Sequence, residues 1–342
     1  MADPRIEEAD WATGVYHAAL ARIGAAAAAG ALRLWGTMPT SYSPASVQTW
    51  RQQAATVLEN SAIVAYRLAV VYYQLLRALA TNTVVQVDRW PAETTTLGAV
   101  RDRFEARTRQ SPTLDARAES QLRIALERIE GIEAATEASR AAMWFQVDRI
   151  LAGLHIDHAR DALDGIDTDR PASEVDADRE DLHAAIGRAQ AATVARLAMN
   201  AGRGQTWGMM LRDNKALGYA RVSSTGSPCG FCAMLMARGA TYKSARSAWS
   251  NSSDGNKFHD YCRCVVVPIF APEAYQTDRF ALNREFERLW PRVTKGHAGA
   301  SARRVWAEYI QANYRAPAEQ SDTAPFPAAP AAVPTASVQE AQ

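Results

Sequence analysis

Residues 44–81 read PASVQTWRQQAATVLENSAIVAYRLAVVYYQLLRALAT. Val47, Trp50, Ala54, Val57, Ser61, Val64, Leu68, Val71, Leu75 and Ala78 recur three and four residues apart, the spacing that puts side chains on one face of a helix. Only Ser61 interrupts this seam. The preceding SYSPAS (Ser41–Ser46) supplies capping hydroxyls and a proline for the first turn. The stretch therefore predicts one long helix from Pro44 to Thr81. Its seam either packs inside the chain's own bundle or docks a partner.

Working outward, NTVVQVDRWPAETTTLG (Asn82–Gly98) breaks the period and predicts a loop with a short extended piece. A second helical region is expected over Leu114–Leu163, on the stripe Leu122, Ala125, Ile129, Ile132, Ala135, Met143, Val147, Ile150 and Leu154. DGIDTDRPASEVDAD (Asp164–Asp178) is acidic, aperiodic and contains a proline, so residues 166–178 read as a linker between two regions. A third helix is expected from Arg179 to Met210. Beyond Tyr219 the alanine-rich helical text gives way to glycine, serine, cysteine and aromatics. CVVVPIF (Cys264–Phe270) predicts a strand, which Pro268 either places at a sheet edge or ends. Helical text returns over Thr277–Tyr314. Residues 316–342, rich in Pro and Ala, cannot build a core and predict a disordered tail.

The fold class that follows is mainly α. Residues 1–165 form a long-helix N-terminal bundle, and residues 179–315 form a small α+β module. Lys plus Arg is 38 and Asp plus Glu 37, so no global field draws the chain to nucleic acid or anionic lipid. The apolar run Ile23–Gly36 is too short and too rich in Ala and Gly to cross a bilayer. Asp3, Glu7, Glu8 and Asp10 carry the wrong charge for a secretory leader. The expectation is no membrane association and folding in a reducing cytoplasm, where cysteines serve metal binding or catalysis rather than disulfides.

All four cysteines fall into two tight pairs. Cys229-Gly-Phe-Cys232 has the spacing of a zinc knuckle, with Gly230 easing the turn. His259-Asp-Tyr-Cys262-Arg-Cys264 adds one imidazole and two thiols within six residues. Sulfur and nitrogen donors suit zinc rather than calcium or magnesium. Cys229, Cys232, His259, Cys262 and Cys264 are thus five candidate ligands for an ion that takes four, and a structural zinc is the expected cofactor. Clamping Ala233–Phe258, read as a long loop containing the core-poor SNSSDGNK (Ser250–Lys257), would turn metal binding into folding free energy. The bland alternative is buried cysteines beside a surface histidine. A redox CxxC lacks the βαβ context it needs.

Other clusters carry weaker signals. His155 and His158 with Asp161 and Asp164 read as a solvated helix face. Arg288, Arg292, Lys295, Arg303 and Arg304 could meet phosphates, but Glu285, Glu287 and Glu308 interleave with them. GxSxG, Walker A and GxGxxG motifs are absent, and no catalytic residue is assigned.

GYARVSSTGSPCGFCAMLMARGATYKSARSA (Gly218–Ala248), followed by KFHDYCRCVVVPIF (Lys257–Phe270), resembles the C-terminal module of the Mu F-like minor head proteins of tailed phages, in the form carried by phages of actinobacteria. The pattern is an arginine-bearing leading strand or helix, a Cys-x-x-Cys turn, an RG-x-x-Y step and an H-x-x-C-x-C element before a hydrophobic strand. Arg221, Cys229, Cys232, Arg238, Gly239, Tyr242, His259, Cys262 and Cys264 occupy those places, and the resemblance covers about residues 190–315. Asp260 stands where many such proteins have proline. The resemblance implies a minor structural protein of the virion, at the portal vertex or capsid interior, acting in head morphogenesis, DNA packaging or DNA delivery. It implies the portal and the major capsid or scaffold proteins as partners, with packaged DNA and self-association through the N-terminal helices as further candidates. A capsid maturation protease is the alternative, and a zinc-stabilised nuclease a more distant one. The first lacks a convincing nucleophile and base pair, and the second would need a ligand left free for a catalytic metal.

Overall fold

The computed structural model describes residues 3–39, 42–87, 93–111, 119–129, 162, 165–166, 168–242, 258 and 262–314. Its frame is three long helices, α1 (Pro4–Trp35), α2 (Pro44–Thr81) and α4 (Ala172–Arg212), each packed against the other two. The α2 bounds match the sequence expectation. Ser43 caps the first turn by accepting from the Ser46 amide, Pro44 occupies a position where its missing N–H is not needed, and Asn82 ends the helix in the left-handed conformation at φ 54°.

The α2 seam lies inside the bundle. Of its residues Val47, Trp50, Ala54, Leu68, Val71, Leu75 and Ala78 are buried, Val57 and Ser61 are half-buried, and only Val64 is exposed. The seam is therefore internal core rather than a docking surface, because two helices of this same chain cover it. By length and composition alone, α1 and α2 are each long and apolar enough to cross a membrane, and about half of each such window is buried inside the protein. Here they bury charged groups as well: Glu8 of α1 and Arg77 of α2 lie in the interior.

The segment expected as a linker, 166–178, is helical from Ala172 onward, so α4 starts seven residues earlier than its periodicity suggested. Helix α4 can approach closely because it carries glycines at its crossings. A Cβ on Gly202 would meet the Ala65 carbonyl at 3.0 Å. One end of the bundle is filled by Trp35, Tyr42, Trp50, Leu58, Ile186 and Val194. The other is filled by Tyr16, Leu20, Leu68, Tyr72 and Leu75, with the Tyr16 and Tyr72 rings stacked at 4.1 Å.

Two small sheets attach at this second end. The first has order β1 (Thr83–Val85), β3 (Arg123–Glu127), β2 (Thr94–Thr96), with β1 parallel and β2 antiparallel to the central strand. Helix α3 (Leu97–Thr108) follows β2. Residues 123–127 are thus a strand, a correction to the helix expected over Leu114–Leu163; most of the rest of that segment lies outside the described residues. The second sheet has order β5 (Thr241–Tyr242), β4 (Gly218–Ser223), β6 (Cys264–Ile269), all antiparallel. Strand β6 is an edge strand of this sheet, as one reading of Pro268 implied. Val84, Ile124, Ala220, Val265 and Ile269 join the same buried cluster as Leu20 and Leu75, so both sheets share the bundle's core.

Beyond β6, α6 (Ala281–Val293) and α7 (Gly299–Tyr314) form a helical pair joined by the turn after Thr294. They pack on α5 (Gly230–Met236) through Ala233, Met236, Phe286, Trp306 and Ile310. The stretch expected as one loop from Ala233 thus begins in a helix and includes β5, while residues 243–257 lie outside the described residues. So do residues 315–342, where the tail was expected.

Candidate metal centre

Cys229 caps α5: its Sγ accepts from the Cys232 amide at 3.4 Å. The cap and the first helical turn bring Cys232 inward from β4's end, while β6 starts at Cys264 and carries Cys262 just ahead of it. Register fixes the meeting point, since Cys264 pairs with Ser223 of β4. The Ser224 hydroxyl donates to the Arg263 carbonyl at 2.9 Å and holds the approach to β6.

The thiol sulfurs of Cys232, Cys262 and Cys264 all lie within 4.8 Å of one another, and the Cys232 and Cys262 sulfurs are 3.5 Å apart. All three residues are buried, under Phe258 and Val266, and Cys229 is half-buried against the same cluster. His259, the fifth candidate ligand, lies outside the described residues. So do His155, His158, Asp161 and Asp164. Zinc to sulfur bonds of about 2.3 Å in a tetrahedron set sulfurs about 3.8 Å apart, so the three thiols fit an ion with little rearrangement.

Gly230 does not serve as the turn residue the sequence suggested, for its φ is not positive. Its role is close approach: a Cβ there would meet Ala307 Cα of α7 at 2.7 Å. Absence of a side chain lets α7 lie against the start of α5.

Two buried arginines face the thiols. Arg221, on β4, is 5 % exposed and donates towards Cys232 Sγ at 3.6 Å. Arg203, on α4, is 1 % exposed; its Nη2 donates to the Cys262 carbonyl at 2.5 Å and its Nη1 to Asn200 Oδ1 at 3.1 Å. Both guanidinium groups lie over the Phe258 ring, at 4.3 Å for Arg203 and 4.1 Å for Arg221. Asn283 of α6 donates to the Arg221 carbonyl at 2.8 Å and so ties the helical pair to this strand.

These neighbours split the thiols electrostatically. Hydrogen bonds from Cys232 and then Cys264 pull Cys262 far below the ordinary thiol value, against burial, and the charges of Arg203 and Arg221 add to the effect. Cys232 is pushed up by hydrogen bonds shared with Cys229, Cys262 and Cys264, and by burial. Of these thiols, Cys262 is therefore the one whose neighbours favour the thiolate, the form that binds a metal.

Arg221 stood in the sequence resemblance, but Arg203 and Phe258 did not stand out as site residues. A signal existed for Arg203: a lone charge amid small residues in MNAGRGQTWG (Met199–Gly208), on a helix whose neighbours are buried.

No curated protein and no solved structure matches the chain. A family model described as VG15 protein matches residues 103–289, more than half of the chain, and that span contains the thiol cluster and both arginines. The chain thus belongs to the VG15 family, a family of phage proteins.

Proposed function

We propose that the protein is a structural component of the phage head, working as the Mu F-like minor head proteins it resembles would. Its place is the portal vertex or the capsid interior, after assembly in the host cytoplasm. Its partners are the portal and the capsid or scaffold proteins, and its role is head morphogenesis, DNA packaging or DNA delivery. The observation that carries this reading is the sealing of the thiol cluster. Cys232, Cys262 and Cys264 are at most 6 % exposed, so a substrate has no access to them, and the cluster serves as a cross-link between β4, α5 and β6. The ion it suits is zinc, held by these three thiolates and a fourth ligand from Cys229 or His259. Four protein ligands leave no open position, and the ion would supply folding free energy rather than chemistry.

The test is co-expression with the portal, scaffold and capsid proteins of the same phage, followed by purification of the particles. Retention of the chain in particles, at few copies per head, is expected. A chain that stays outside while scaffold or capsid protein is cut would replace this reading with the protease.

A further inference from the structure

We infer that the turn joining α6 and α7, with the helix ends beside it, is a docking surface for the phosphate backbone of double-stranded DNA. Arg288, Arg292, Lys295, Arg303 and Arg304 carry it. DNA as the occupant rests on the head reading above, and the zinc reading plays no part.

In the sequence these charges look diluted by Glu285, Glu287 and Glu308. The fold separates the signs. Glu285 accepts from the Tyr314 hydroxyl at 2.6 Å. Glu287 accepts from the Tyr275 hydroxyl and lies against Gly239. Glu308 sits one helical turn beyond Arg304 and marks the edge of the surface. Residues 288–304 therefore carry five basic side chains and no acidic one, in a chain whose formal net charge is only +1. All five are exposed, as is every residue from Lys295 to Ala300. None of the five has a carboxylate partner among the described residues. The Arg292 Nε instead donates to the Arg288 carbonyl at 3.0 Å. Helix α7 adds charge of the same sign, since its first turn points amides outward and contains no acidic residue.

The frame beneath the charges is stiff. The Thr294 hydroxyl donates to the Trp290 carbonyl at 2.7 Å, and the His297 amide donates to the Thr294 carbonyl at 2.9 Å. Gly296, at φ 81°, makes the turn between the helices. Charges held on such a frame lose less freedom on binding than charges on a loose loop.

What the surface lacks selects the occupant. Trp290 and Trp306 meet inside the helical pair with ring centroids 5.1 Å apart, and Leu289, Val293 and Val305 are half-buried. No large apolar side chain of residues 288–304 is exposed. The surface thus offers no aromatic anchor for a protein, no wedge for a bilayer and no platform on which single-stranded bases could stack. Residues 288–304 also contain no Asn or Gln to read adenine edges. What is left is a rigid cluster of charge, mostly arginine, whose planar fork matches phosphate. A duplex presents about one such charge per 1.7 Å of its axis, whatever its sequence.

Fluorescence anisotropy of the full-length protein with a short DNA duplex, titrated at several salt concentrations, is the test. Binding is expected to be the same for unrelated duplex sequences. It should weaken about 40- to 500-fold between about 50 and 200 mM salt, as about three to five phosphate contacts require. Arg292→Gln with Arg303→Gln should bind more weakly and make that salt-dependent loss about tenfold smaller, while Arg292→Lys with Arg303→Lys restores it. Arg67→Gln with Arg188→Gln removes two exposed arginines on α2 and α4 and should change neither. Equal weakening by the two glutamine pairs would overturn the inference, because the contact would then be spread over the whole surface. So would absence of binding at the lowest salt, or binding only to vesicles of phosphatidylserine and phosphatidylcholine. A chain retained in particles that binds no duplex would overturn this inference and leave the head reading standing. A chain that binds duplex through the turn yet stays out of particles would do the reverse.

Discussion

Arg77 and Asp213, 136 residues apart in the chain, meet at 2.6 Å with neither side chain exposed. Tyr73 also donates to the Asp213 carboxylate at 3.0 Å, and Arg77 reaches on to Glu127 of β3 at 2.6 Å. One guanidinium therefore fastens α2, the first sheet and the end of α4. Removing one partner strands a buried charge, and Asp213→Ala should destabilise the protein by about 3–5 kcal/mol. Chemical denaturation would measure it. Arg77→Met with Asp213→Leu should cost much less than the two single changes summed, because neither charge is then left alone.

His17 on α1 is 6 % exposed, and burial, followed by the charges of Arg279 and Arg203, pushes its pKa down from 6.5 to about 3. The folded state thus keeps this imidazole neutral where the unfolded chain would protonate it. The stability this provides is complete above pH 6.5 and is lost as pH falls towards 3, at up to about 1.4 kcal/mol per pH unit. His17→Gln should flatten that slope between pH 6 and pH 4. Equal slopes in the two proteins would show that other groups set the acid response.

Glu127 behaves differently. Burial raises its pKa, but hydrogen bonds from Lys215 and Arg77 outweigh this and hold it below its ordinary 4.5. Its share of stability is present above pH 4.5 and disappears below it. Glu127→Gln should therefore differ most from the unmutated protein near neutral pH and least in strong acid.

Metal removal should act locally. Chelation is expected to raise amide exchange in β4, α5 and β6, while α1, α2 and the first half of α4 keep their protection, since Trp35, Trp50 and Ile186 pack far from the thiols in sequence and in a separate buried cluster. Loss of protection across all three long helices at once would make the whole chain one cooperative unit.

Gly230→Ala should destabilise by about 1–3 kcal/mol, because the added methyl collides with the backbone of Ala307 rather than with a flexible side chain. Zinc content should stay unchanged, since the cysteines move little. Thermal unfolding and elemental analysis on the same preparation would separate the two effects.

The ends of α2 were legible because local chemistry fixes them: a serine cap, a proline in the first turn and a residue able to turn left-handed at the end. The cysteine pairs were legible because ligand spacing is itself a local property. Strand β3 was not. Arg-Ile-Ala-Leu-Glu suits a helix well, and Leu122, Ala125 and Ile129 keep helical spacing. Pairing with Thr83–Val85 on one side and Thr94–Thr96 on the other overrides that preference. Arg203 was marked locally only as a lone charge amid small residues, and that signal does not name its partner, since Cys262 lies 59 residues on.

The place of α4 in the bundle sets a constraint on synthesis. Helices α1 and α2 emerge from the ribosome early, yet the third helix that covers them ends only at Arg212. Until then the nascent chain holds two helices whose apolar character would suit a bilayer, with one flank of each uncovered. A growing chain in that condition is a natural client for ribosome-associated chaperones. A long delay in elongation before Arg212 should therefore cost more soluble protein than an equal delay after it.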